Sequence, residues 1–135
     1  TKYPDKLKVY LTHDEKLAHQ IEGAADIFLM PSLFEPCGLN QLYSLKYGTV
    51  PVVNAVGGLA DTVVDYDPDS GEGTGFVFAE DTPEAMLAAL ERALAVYARR
   101  RPWVKLMKAG MKQDFSWGQA VAKYVLQFET LIDGQ

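Results

Sequence analysis

Two short, unbroken apolar runs, Ile27-Phe28-Leu29-Met30 and Val50-Pro51-Val52-Val53, each lead into a loop that ends in a helical pattern. Runs of this length without polar alternation mark parallel strands buried on both faces. Parallel strands need crossover connections, so the chain must alternate strand, loop and helix. With 135 residues, 48% of them hydrophobic, it can form one domain with a sizeable core but cannot enclose a cleft between two domains.

The rest of the chain repeats the unit. Lys8-Val9-Tyr10-Leu11 reads as a further short strand, and His13-Asp14 leads into a helix with Leu17, Ala18 and Ile21 on one face, ended by Gly23. Leu39 to Tyr47 suits a short helix with Gly48 as its terminator. Gly57-Gly58 opens another, over Leu59 to Val64, before a polar loop from Asp65 to Thr74. Gly75-Phe76-Val77-Phe78 is one more strand, and Thr82-Pro83-Glu84 caps a long helix reaching about Arg99. Pro102 starts a helix through Lys112, and Ser116-Trp117 begins a last one reaching Leu131 or Ile132. The predicted class is α/β, a Rossmann-like parallel sheet with flanking helices. Three or four strands are few for a doubly wound sheet, and the expectation is that its first units lie upstream of Thr1.

Charge and motifs exclude several function classes. The net charge of −5, with both signs interspersed, offers no basic stripe for a nucleic acid backbone. No apolar run approaches the ~20 residues of a membrane span, and the opening segment lacks a signal-peptide core, so a soluble, unsecreted protein is expected. The single cysteine, Cys37, rules out an internal disulfide or a multi-cysteine zinc site. Its expected role is packing, with its backbone free to serve a ligand. Neither G-x-G-x-x-G nor a Walker A loop occurs. Asp65-Tyr66-Asp67-Pro68-Asp69 has metal-like D-x-D spacings but reads as an acidic surface turn, and as a calcium loop it fails because Gly71 falls one place late and Phe76 replaces the closing Glu. No metal and no cofactor are expected. Arg99-Arg100-Arg101 reads as a solvated helix end favoured by the negative pole there.

Ligands of an open parallel sheet bind beyond the carboxyl ends of its strands, where helix N-termini present unpaired N–H groups. Two segments occupy that position: Phe34-Glu35-Pro36-Cys37-Gly38-Leu39-Asn40-Gln41 and Asn54-Ala55-Val56-Gly57-Gly58-Leu59-Ala60-Asp61-Thr62. A sugar diphosphate suits them, its phosphates facing N–H donors and its hydroxyls facing Glu35. The alternative is that Glu35 satisfies only local backbone.

The run Met30-Pro31-Ser32-Leu33-Phe34-Glu35-Pro36-Cys37-Gly38-Leu39-Asn40-Gln41-Leu42-Tyr43, with Tyr47-Gly48-Thr49-Val50-Pro51-Val52-Val53 and Gly57-Gly58-Leu59-Ala60-Asp61-Thr62-Val63, resembles the C-terminal domain of glycosyltransferase family 5, the bacterial glycogen synthases and plant starch synthases. The likeness continues through Gly75-Phe76-Val77-Phe78 to Asp114-Phe115-Ser116-Trp117, nearly the whole chain. It implies part of the C-terminal domain of a GT-B enzyme that moves glucose from ADP-glucose to the non-reducing end of an α-1,4-glucan with retention. It also implies a location in bacterial cytoplasm or plastid stroma.

Site roles follow from the same resemblance. Glu35 is the catalytic candidate, against the donor glucose; the backbone of Cys37, Gly38, Leu39 and Asn40 holds the distal phosphate and sugar, with Gly57 and Gly58 close by. His13 stands where the family packs an aromatic residue on adenine, and the bland alternative is a surface residue at a helix start; His19 is expected to be structural. Tyr43 replaces the second Glu of the E-x7-E pattern of family 4, which favours ADP-glucose over UDP-sugars, and Leu33 stands where many synthases have Arg. The resemblance places the diphosphate-clamping Arg and Lys, and an N-terminal catalytic domain, outside this chain, so the polypeptide alone is expected to be inactive. The final helix, about 117–132, is expected to pack on that missing domain, its apolar residues otherwise driving self-association or taking another position. The competing readings are a non-catalytic nucleotide- or glucan-binding module of the same fold and a UDP-sugar enzyme of GT-B architecture.

Overall fold

The computed structural model describes residues 2–133. The elements run α1 (Glu15–Ala24), β1 (Ile27–Met30), α2 (Asn40–Tyr47), β2 (Val50–Asn54), α3 (Gly57–Thr62), β3 (Phe76–Phe78), α4 (Pro83–Tyr97), α5 (Arg100–Met111) and α6 (Trp117–Asp133). The three strands form one parallel sheet in the order β1-β2-β3, with Ile27 opposite Val50 and Val52 opposite Phe76. This is the strand, loop, helix repeat expected of a Rossmann-like sheet.

β2 is central and buried along its whole length, as a strand covered on both faces must be. Val50 and Val52 join Phe76, Phe78, Ala89, Ala93, Val96, Trp103 and Leu106 under α4 and α5. Val53 points the other way, to Met30, Leu59 and Val63. Alternation of side chains along the strand thus feeds two cores. The apolar run at β1 predicts burial on both faces, yet Ile27 and Phe28 are half-buried and Leu29 is exposed. β1 is the edge of the described sheet, and α1 packs on α2 instead of covering it.

Several boundaries differ from expectation for local reasons. Lys8 to Leu11 forms no strand: Val9, Tyr10 and Leu11 are exposed, and among the described residues no strand pairs with them. A lone extended segment gains nothing from its alternation. Asp14 caps α1 by accepting from the Leu17 amide at 3.0 Å, but the helix runs past Gly23 and stops where Ala25 turns extended. Gly48 terminates α2 as expected, at φ 84°. Thr82 caps α4 through the Ala85 amide with Pro83 in the first turn.

Arg99-Arg100-Arg101 does not sit at a helix carboxyl end. α4 stops at Tyr97, Arg99 becomes the N-cap of α5 and Arg100 begins that helix, so the charges face the positive pole. α6 leaves the body: Trp117, Val121, Tyr124, Val125 and Phe128 are all exposed. Among the described residues no helix is long and apolar enough to cross a membrane.

Candidate functional site

The loops after β1 and β2 meet beyond the carboxyl ends of these strands. Asn54, the last residue of β2, donates from Nδ2 to the Ser32 carbonyl at 3.0 Å, tying one strand end to the other. The Gly58 amide donates to the Glu35 carbonyl at 3.0 Å. A Cβ on Gly57 would strike the Glu35 carbonyl oxygen, and one on Gly58 would strike that of Cys37. Only glycine lets these two loops touch. Of the sequence-predicted residues, Glu35, Cys37, Gly57 and Gly58 are therefore brought together by direct backbone contact.

Gln41 fixes the loop from below. Its side chain is fully buried, and its Nε2 donates to the carbonyls of Cys37 at 3.0 Å and Gly38 at 3.1 Å and reaches Thr62 Oγ1 at 3.3 Å. Gly38 takes φ 69°, and a Cβ there would run into the Gln41 amide. Gln41 stands in the recognised motif but carries no assigned role in the sequence reading. The available signal is a polar residue at a position of α2 that faces the core.

The result is a row of free donors. α2 begins at Asn40 behind Leu39, whose side chain makes no cap. Among the described residues the amides of Cys37, Gly38, Leu39, Asn40, Gln41 and Leu42 find no acceptor. Open N–H groups at a helix N-terminus, with its positive pole, form an anion-binding surface. Glu35, two residues before this row in the chain, is half-buried and its carboxylate accepts from Ser32 Oγ at 3.5 Å. One weak side-chain partner leaves it able to accept from a ligand.

His13 shares a cleft with Leu39 and Asn40, though not with Glu35, Gly57 or Gly58. This cleft, of about 460 Å3 between α1 and α2, is lined by His13, His19, Glu22, Leu39, Asn40 and Tyr43, among others. His13 is exposed at the lip, next to the capping Asp14. His19 is held in place by its neighbours: its ring meets Tyr43 edge-on at 4.8 Å, and Nδ1 lies 3.4 Å from the Tyr47 hydroxyl and 3.3 Å from Glu22. Glu22 is buried, and burial raises its pKa, an effect the facing His19 opposes. No sequence signal marks Glu22, because a carboxylate on a helix normally faces water.

One expectation changes here. Cys37 is exposed, so its side chain packs nowhere and its carbonyl does the holding. Leu33, at the position where many synthases have Arg, is exposed as well. The aspartates at 65 and 67 are engaged as structure: Asp65 takes both ends of the Arg92 guanidinium at 2.9 Å and the Val77 amide at 2.7 Å. Asp67 accepts from Ser70 Oγ at 2.7 Å and from the Asp69 amide at 2.9 Å, which lowers its pKa. Among the described residues no group of His, Cys, Asp and Glu is arranged to hold a metal.

This geometry has close parallels. The family model described as "Glycosyl transferases group 1" matches residues 1–108. The glycogen synthase of Anaeromyxobacter dehalogenans (strain 2CP-1 / ATCC BAA-258) is 56% identical over 133 residues, 98% of this chain and 28% of that protein. The catalytic domain of starch synthase IV from Arabidopsis thaliana, bound to ADP and acarbose, superposes with a TM-score of 0.83 at 38% identity, covering 91% of this chain and 26% of that one. Sucrose-phosphate synthase from Thermosynechococcus elongatus shares the fold, with a TM-score of 0.67 at 24% identity over 99% of this chain and 32% of its own. The chain thus spans about a quarter of the length of the synthases it resembles.

Proposed function

The chain belongs to the group 1 glycosyl transferases, and on that premise we propose that it forms the ADP-glucose-binding part of a retaining glucosyltransferase that extends an α-1,4-glucan. The observation that carries this is the row of unpaired amides from Cys37 to Leu42, which begins two residues after Glu35. The starch synthase neighbour is bound to ADP, and a nucleoside diphosphate is the chemistry that such a row of donors suits.

In this reading the distal phosphate accepts from the amides at the start of α2, and Glu35 accepts from hydroxyls of the donor glucose. The base lies in the cleft toward His13, whose imidazole stacks on it. During transfer the bond from the anomeric carbon to the diphosphate breaks while a bond to the acceptor hydroxyl forms on the same face. The acceptor proton passes to the departing phosphate. Negative charge grows on that phosphate, and fixed N–H dipoles stabilise it without having to reorient. The exposed apolar side of α6, with Val121, Val125 and Phe128, docks on the remainder of the longer enzyme.

Amide shift mapping tests the assignment. Titration of the labelled chain with ADP-glucose moves the amides of residues 37–42 and 57–58 and the side chain of His13. Shifts confined to any other face would contradict it.

A further inference from the structure

The strongest concentration of positive charge lies away from these loops. Arg99, Arg100, Arg101, Lys105, Lys108 and Lys112 fall in one stretch with no Asp or Glu from Ala93 to Gln113, in a chain whose net charge is −5. Four of them, Arg101, Lys105, Lys108 and Lys112, are spaced i, i+4, i+7 and i+11, which places them on one side of α5.

That side faces a groove of about 610 Å3 closed by the 64–74 loop. Val64, Val104 and Ala109 contribute apolar surface, and four cations and one carboxylate, Glu72, line it. Among the described residues only Lys105 is engaged, with the Ser70 carbonyl at 3.3 Å and the Glu72 carboxylate at 3.6 Å. The Glu72 pair is exposed and weak. Arg101, Lys108 and Lys112 have no carboxylate within 4.0 Å among the described residues. The 64–74 loop enters the N-terminal end of β3, whereas the loops around Glu35 and Gly57 leave the carboxyl ends of β1 and β2. The groove is a separate site, toward the opposite ends of the strands.

Like charges at i, i+3 and i, i+4 repel, and Arg101 sits in the first turn of α5, where the helix pole is positive, while Lys108 and Lys112 at the other end are favoured by the negative pole. An anion in the groove offsets the repulsion along the row and the unfavourable placement of Arg101. Eleven residues of helix separate Arg101 from Lys112, about 16 Å, more than one phosphate group can reach. The volume lies within the ~300–1,000 Å3 of small-molecule sites, and the acidic chain as a whole repels a long polyanion.

We propose that this groove binds a small molecule carrying two phosphate groups, held by Arg101, Lys105, Lys108 and Lys112 at a site distinct from the donor loops.

The test is titration of the labelled chain with fructose 1,6-bisphosphate, pyrophosphate, inorganic phosphate and sodium sulfate at constant ionic strength, read by amide shifts. The bisphosphate should give saturable shifts at Val64, residues 71–74 and residues 104–109, with affinity at least about tenfold above that of inorganic phosphate. Tighter binding of pyrophosphate than of the bisphosphate would place the two phosphates adjacent; the reverse order would place them at the ends of a sugar. Lys105→Gln/Lys108→Gln/Lys112→Gln should weaken binding by about tenfold or more, while Lys123→Gln on α6 leaves it unchanged. These side chains are exposed, and retained shift dispersion verifies folding. Absence of saturable shifts in the groove, equal shifts with sulfate, or unaltered affinity in the triple variant would overturn the proposal.

Discussion

The Gln41 side-chain amide donates to the Cys37 carbonyl at 3.0 Å from a fully buried position, so the first turn of α2 is braced against the loop that precedes it. This bond and its companion to Gly38 hold the backbone at Cys37 and Gly38, whose amides are unpaired among the described residues. Gln41→Ala removes the brace and leaves two carbonyls to find water, at a cost of about 2 to 3 kcal/mol. Urea denaturation should show the lower midpoint, and affinity for ADP-glucose should fall as well, although the Gln41 side chain touches no ligand in the proposed complex.

The contact between the two loops gives a second prediction. Gly58→Ala drives a methyl group into the Cys37 carbonyl, so the loops must separate, and donor binding is expected to fall together with stability. Gly23→Ala is the control. Its added methyl meets the Tyr47 ring at an ordinary 3.7 Å inside α1, and the helix should gain about 0.5 kcal/mol.

Much of this is legible from residues alone, because each signal is local. Asp14, Thr82 and Gly48 announce their helix ends through chemistry that acts within a turn. The glycines at 57 and 58 mark a close approach before the partner is known, and the motif around Glu35 names the family. What escapes depends on distant parts of the chain. Lys8 to Leu11 alternates like a strand but pairs with none among the described residues, and the apolar run at β1 does not reveal that one side of the sheet edge is open. The brace at Gln41 ends on Thr62, 21 residues away, and no spacing rule predicts it. Arg99 to Arg101 reads as the end of the preceding helix because Pro102 looks like a first residue, whereas α5 starts two residues earlier.

Glu22 supplies a pH prediction. Burial raises its pKa above the ordinary glutamate value of 4.5, against the opposing pull of His19. The folded state therefore holds the proton more tightly than the unfolded chain. This contribution is complete below 4.5 and is lost as pH rises through the raised value. In Glu22→Gln the loss is absent, so the variant should gain on the native chain between acidic and neutral pH. Unfolding midpoints on both sides of that window measure it, and a constant difference would contradict the assignment.

The open side of α6 predicts association. Val121, Val125, Phe128 and Ile132 recur along one side of the helix and are all exposed. Sedimentation should give an apparent mass that rises with concentration, and Val125→Glu/Phe128→Glu should hold the chain monomeric. A compact monomer at high concentration would show that α6 folds back onto the body.

The central claim is that Glu35 reads the donor sugar while the amides after it hold the phosphates. Calorimetric titration of the native chain and of Glu35→Ala with ADP-glucose and with ADP separates the two roles. The account predicts that ADP-glucose binds the native chain more tightly than ADP, and that Glu35→Ala loses this advantage while its affinity for ADP is retained. Equal loss for both ligands, or an undiminished preference for ADP-glucose in the variant, would contradict it.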